Sequence, residues 1–162
     1  MSDVVGKWGP AVAERGFTQL PTYLLNLNRF LDKEHRLTPV ELLVLFQLVS
    51  TWWKKDENPF PSIATLANRC GVSTRQVQRA INHLDELKLI KKIRRSNKGI
   101  IASNSYSMEP LTEFLGEVAK AFPTEYPRRV TSEDRAKFSS KLGSGRNSKS
   151  ISDEGEDYQM AS

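Results

Sequence analysis

The chain has 162 residues, 38% of them hydrophobic and 27% charged, with a formal charge of +5; this suits one compact domain with tails. Its single cysteine, Cys70, excludes an internal disulfide and fits a reducing, cytoplasmic setting. No basic region leading into an apolar run opens the chain, and the longest apolar run, Leu42 to Phe46, is far too short to cross a bilayer, so neither a signal peptide nor a membrane span is expected.

Residues 1–16 mix Gly, Pro and polar side chains without periodicity and read as a flexible N-terminal arm. A folded domain is expected over 17–108. Phe17 to Leu20 suits a short strand. Pro21 then opens a short helix with Leu24, Leu27 and Leu31 at helical spacing. The next helix has a strong start: Thr38 as N-cap, Pro39 at the first helical position and Glu41 completing a capping box. Its body, Val40 to Trp53, is apolar almost all round, the pattern of a helix at the centre of a small domain. Trp52 and Trp53 at its end read as packing residues, with nucleobase stacking as the alternative.

Lys54 to Pro61 is a polar loop with two prolines. A helix is predicted from the N-cap Ser62 to about Cys70, closed by Gly71. Another follows from the N-cap Ser73, with Gln76 in a capping box and Val72 and Val77 as a hydrophobic staple, and runs to about Lys88. Leu89 to Arg95 reads as a strand, Ser96-Asn97-Lys98-Gly99 as a hairpin turn, and Ile100 to Met108 as the returning strand. Over 109–126, Leu111, Phe114, Leu115, Val118 and Phe122 mark one face of an amphipathic helix. That face can pack on its own domain or form a homodimer seam through 111–122. From 127 to 162 the chain is rich in Ser, Gly and charge, and is expected to be disordered because it cannot offset its ordering entropy. The acidic cluster Asp153 to Asp157 reads as a solubilising tail, or as a segment that folds back and competes for a basic surface of the chain.

Two short helices packed across a tight turn need a small residue on the first helix, a glycine in the turn and a β-branched residue on the second. Ala67, Gly71 and Val77 meet that need, with Leu66, Val72 and Ile81 as surrounding core. A capped apolar helix precedes this pair and a basic hairpin follows it. The fold class is therefore mainly α with a small β-hairpin: a winged helix-turn-helix.

Charge locates the function. Residues 62–101 hold nine Lys or Arg against two acids, a net +7, so the rest of the chain carries −2 of the total +5. An anionic partner for this one segment is implied. On the 74–88 helix, Val77, Ala80, Ile81 and Leu84 share one face, and Arg75, Arg79 and Asn82 lie opposite. Arg pairs bidentately with guanine, and Gln or Asn with adenine, in the major groove. Thr74, Arg75, Gln76, Arg79 and Asn82 are thus the candidate base readers of double-stranded DNA. Candidate backbone or wing contacts are Ser62, Ser73, Gln78, His83, Lys91, Lys92, Arg94, Arg95, Asn97 and Lys98. Two histidines and one widely spaced cysteine make no zinc site. Cys70 reads as a small packing residue beside the turn. Without a Gly-rich phosphate loop, a nucleophile elbow or clustered carboxylates, no enzyme activity, cofactor or metal is expected.

Between Phe17 and Met108 several stretches carry a family likeness: Phe17-Thr-Gln-Leu-Pro21 leading to Leu24-Leu25, Pro61-Ser-Ile-Ala-Thr-Leu-Ala67, Gly71-Val-Ser-Thr-Arg-Gln-Val-Gln-Arg79, Leu87-Lys-Leu-Ile90 and Asn104-Ser-Tyr106. With these the chain resembles the winged-helix family of plasmid and phage replication initiators and related bacterial regulators. The resemblance implies that Ser73 to Arg79 opens the recognition helix. It leaves the role open, because repressors, activators and initiators share the module. A transcriptional regulator is the leading expectation, since the length leaves little room for a second folded domain. A replication initiator or accessory protein on repeated origin sites is the alternative, and a winged helix used only for protein contacts is the third.

Overall fold

The structure, a computed structural model, describes residues 2–146. Its centre is a three-helix unit. Helix α4 (Pro39–Ser50) starts with the expected capping box: Thr38 Oγ1 accepts from the Glu41 N–H at 3.2 Å, and Glu41 Oε1 accepts from the Thr38 N–H at 3.3 Å. It buries Val44, Leu45 and Leu48. Helix α5 (Ile63–Cys70) is capped by Ser62, whose Oγ accepts from the Thr65 N–H at 3.1 Å. Gly71 closes α5 in the left-handed region, with φ 69°. The Val72 N–H reaches the Ala67 carbonyl at 3.1 Å and the Gly71 N–H reaches that of Asn68 at 3.3 Å, the paired bonds of a Schellman stop. The chain can then turn at once into helix α6 (Thr74–Glu86), which packs on both α4 and α5.

Helix α6 ends two residues before the Lys88 expected from sequence. Lys88 itself takes the left-handed conformation, φ 59°, and the same bond pair recurs: Leu89 N–H to Leu84 O at 3.1 Å and Lys88 N–H to Asp85 O at 3.0 Å. A lysine stands where glycine is favoured, so no residue type marks this stop in the sequence.

The wing is two short ladders. Strands β1 (Lys91–Ile93) and β4 (Ser105–Ser107) pair antiparallel, Lys92 opposite Tyr106; β2 (Ser96–Asn97) and β3 (Ile100–Ile101) pair beyond them. Both strands are shorter than expected, because the ladder is interrupted between the two pairs, where Ala102 N–H still reaches the Arg95 carbonyl at 3.3 Å. The turn is Lys98–Gly99, with φ 51° and 80°; two positive φ values in a two-residue connection match the strand twist. Tyr106 also donates its N–H to the Pro59 carbonyl at 2.9 Å, which draws the approach to α5 alongside β4.

Four expectations are corrected. Phe17 to Leu20 forms no strand: an extended segment becomes one only by pairing, and the sheets of the described residues consist of wing strands alone. Residues 2–15, expected as a flexible arm without clear periodicity, form α1 (Ser2–Trp8) and α2 (Pro10–Arg15), which pack on each other and bury none of residues 3–15. Trp53, read as a packing residue, is 85% exposed, whereas Trp52 is half-buried. Residues 127–146, expected to be disordered, fold back across the domain through α8 (Ser132–Ser139). The remainder of that predicted tail, including the acidic cluster 153–157, lies outside the described residues.

This returning strap holds by few anchors. Thr131 and Asp134 form a capping box for α8. Phe138 is buried against Phe114 and Phe122, with ring centroids 6.3 and 5.9 Å apart. Ser139 Oγ accepts from the Asp32 N–H at 3.0 Å. Gly143 N–H reaches the Leu87 carbonyl at 3.0 Å, and a Cβ on Gly143 would overlap the Glu86 carbonyl, so only glycine allows that approach.

Helix α7 (Glu109–Ala121) buries Leu111, Phe114 and Val118 in the same core. Of the two uses open to its apolar face, packing on its own domain is the one observed. A homodimer seam would have to unpack it. The short helix α3 (Thr22–Leu25) and a 3-10 turn at Leu27–Phe30 close the end of the core, where Tyr23 donates its hydroxyl to the Phe122 carbonyl at 2.5 Å.

Candidate nucleic-acid interface

Helix α6 divides into two faces. Val77, Ala80, Ile81 and Leu84 are buried, while Thr74, Arg75, Gln76, Gln78, Arg79 and Asn82 are exposed. Burial of the four apolar side chains fixes the rotation of the helix, at about 1.5–3 kcal/mol for each large one. The polar face is therefore presented as a consequence of core packing.

The N-terminus of α6 is a rigid edge. Ser73 Oγ accepts from the Gln76 N–H at 3.1 Å, and Gln76 Oε1 accepts from the Ser73 N–H at 3.0 Å. The Gln76 carbonyl oxygen is thus committed to the cap, and only its amide –NH2 is left to offer a ligand. Ser62 caps α5 and also donates its hydroxyl to Thr65 Oγ1 at 2.9 Å. Asn82 Oδ1 accepts from Lys92 Nζ at 3.0 Å, which ties the far end of the exposed face to the wing base. Asp85, one of the two acids in the basic segment, accepts the Lys92 N–H at 2.9 Å. Its carboxylate anchors β1 to α6.

His83 does not join this face. It lies on the interior flank of α6, where its ring is paired with the buried carboxylate of Glu41 and with the Arg146 guanidinium, which also pairs with Glu41. Its side chain keeps 15% exposure. Periodicity placed His83 beside the polar stripe but gave no sign of Glu41, which is 4% exposed. A carboxylate buried there needs cationic or donor partners, and α6 and the strap supply them.

On the wing, Lys91, Arg94, Arg95 and Lys98 are exposed and Lys92 is half-buried; Asn97 lies in β2. Among the described residues the ion pairs use none of Arg75, Arg79, Lys91, Arg94, Arg95 or Lys98. Arg95 has one neighbour of note, Phe60, whose ring centroid is 4.3 Å from the guanidinium carbon. Phe60 was missed by the sequence reading; its only signal is an aromatic between Pro59 and Pro61 just ahead of the α5 cap. Cys70 packs half-buried against the core, and burial pushes its thiol pKa up, away from the reactive thiolate.

Residues 35–90 match a family model described as a helix-turn-helix domain. The match covers α4, α5 and α6, and the hairpin that follows completes the architecture. The fold is a winged helix-turn-helix. No curated protein and no solved structure matches the chain. A helix-turn-helix domain suggests DNA binding, and α6 and the wing of this chain carry exposed cations that stand outside the ion pairs of the described residues. No helix of the described residues is long and apolar enough to cross a membrane, and no group of three His, Cys, Asp or Glu among them could hold a metal ion.

Proposed function

We propose that this chain is a sequence-specific binder of double-stranded DNA that regulates transcription. Helix α6 enters the major groove, with Thr74, Arg75, Gln76, Arg79 and Asn82 toward the base edges. The wing at 94–99 lies on the adjacent backbone or minor groove.

The observation that carries this reading is the exposed face of α6. Arg75 and Arg79 stand one turn apart on it, free of carboxylate partners and next to a capped N-terminus. Guanidinium groups held this way on a fixed helix suit bidentate contact with guanine. The wing cations and Gln78 suit phosphate contacts, which add affinity without sequence preference. His83, bound into the interior, has no part in this reading.

Selection of bound sequences from a random duplex pool, then footprinting of the matching genomic sites, tests it. A single operator overlapping a promoter supports a regulator. An array of direct repeats at an origin replaces that role with replication initiation. A pool without an enriched sequence removes base reading altogether.

A further inference from the structure

We infer that Phe60 is a positioning residue for the wing: it holds Arg95 as a stacked cation against the duplex that flanks the α6 site. The inference rests on the DNA-binding reading above and adds to it a residue outside both the helix-turn-helix and the hairpin.

Three observations meet at this point. Phe60 is 58% exposed although it is a large apolar side chain, so core packing does not account for it. The Arg95 guanidinium carbon sits 4.3 Å from its ring centroid, within the range of a cation–π contact. The backbone on both sides is fixed. The Pro59 carbonyl accepts from Tyr106 at 2.9 Å, and the Arg95 carbonyl accepts from the Ala102 N–H at 3.3 Å. Phe60 thus belongs to the body of the domain, one residue from Pro61 and two from the α5 cap, while Arg95 lies at the root of the wing tip.

The chemistry follows from those positions. A guanidinium stacked on an aromatic face keeps its N–H edges available and loses much of its rotamer freedom before any ligand arrives. Ordering it in advance lowers the entropic cost of a DNA contact. Lysine at this place would keep the charge and lose the planar stack. Ring and guanidinium together fix how far the wing leans from α6, and hence where along the flank Arg95 meets the duplex.

The test is a double-mutant cycle on the full chain, bound to its selected duplex. Arg95→Ala should weaken binding by about ten- to a hundredfold, as a lost charged contact does. Phe60→Ala should weaken it by about two- to fivefold. In the Arg95→Ala background, Phe60→Ala should have no further effect. Phe60→Trp, which keeps an aromatic face, should retain wild-type affinity. On a duplex trimmed to the α6 footprint the wild type and Phe60→Ala should bind alike. Thermal melting of each variant separates loss of contact from loss of fold. Additive losses, or an undiminished Phe60→Ala effect on the trimmed duplex, overturn this inference and leave DNA binding standing. A wild-type chain that binds no duplex overturns both.

Discussion

The exposed front of the domain and the strap across its back are similar in composition and opposite in use. The stretch from Ser73 to Lys98 and the stretch from 127 to 146 are both polar and rich in Lys and Arg. At the front, the core takes Val77, Ala80, Ile81 and Leu84 and leaves the cations outward and without carboxylate partners. At the back, Val130 and Phe138 go into the core, Arg135 Nε donates to the Arg29 carbonyl at 3.1 Å, and Arg146 pairs with Glu41. The contrast is one of degree, since Arg128, Arg129 and Lys137 of the strap are also exposed and outside the ion pairs of the described residues; what sets the front apart is that its cations line one helix face and the wing beside it.

The comparison can be broken from either side. The largest effect is expected at the back. Phe138→Ala should cost about 3–5 kcal/mol of stability, as buried aromatic truncations do, read by chemical denaturation, while the folded fraction keeps its sequence preference. At the front, Arg75→Ala and Arg79→Ala should each cost about 1–3 kcal/mol of binding and change the preferred bases, with stability held within about 0.5 kcal/mol. Lys98→Ala at the wing turn should weaken binding to all sequences alike and lower the salt slope by about one. A change of sequence preference in Phe138→Ala, or of stability alone in the arginine variants, would erase the division between front and back.

The smallest effect concerns pH. Burial pushes the Asp32 carboxyl pKa up, but hydrogen bonds and charge from His35, with a bond from Ser139, outweigh it and hold the group below its usual value. A carboxyl lowered on folding adds stability above its unfolded pKa, and that contribution is lost as pH falls through the folded value. Asp32→Asn should therefore flatten the acid limb of a stability–pH curve and leave the alkaline limb alone. An acid limb identical to wild type would show that the Asp32 carboxylate, with its bonds to His35 and Ser139, contributes nothing.

Local signals made the front legible. Caps at Thr38, Ser62 and Ser73, the glycine at 71 and the period of Val77, Ala80, Ile81 and Leu84 are all properties of neighbouring residues, and each reappears in the structure. The order of elements added the wing. The back was illegible because its anchors are sparse and distant in sequence. Phe138 meets Phe114, Ser139 meets Asp32, and Gly143 meets Leu87. No period or spacing announces such contacts. The pairing of His83 was hidden for the same reason: its partner Glu41 is 42 positions away and its visible role was the cap of α4. Phe60 belongs to the front, but it meets Arg95 across the chain, next to the Pro59–Tyr106 bond, and no local pattern announces that.

Selection from a random duplex pool at low salt, run in parallel with the wild type, Arg75→Ala and Arg79→Ala, bears most directly on whether the exposed face of α6 reads DNA. The wild type should enrich one motif, and each arginine variant should relax it at a small number of adjacent positions while the rest is kept. An unchanged motif in both variants, or no enriched motif in the wild type, would contradict it.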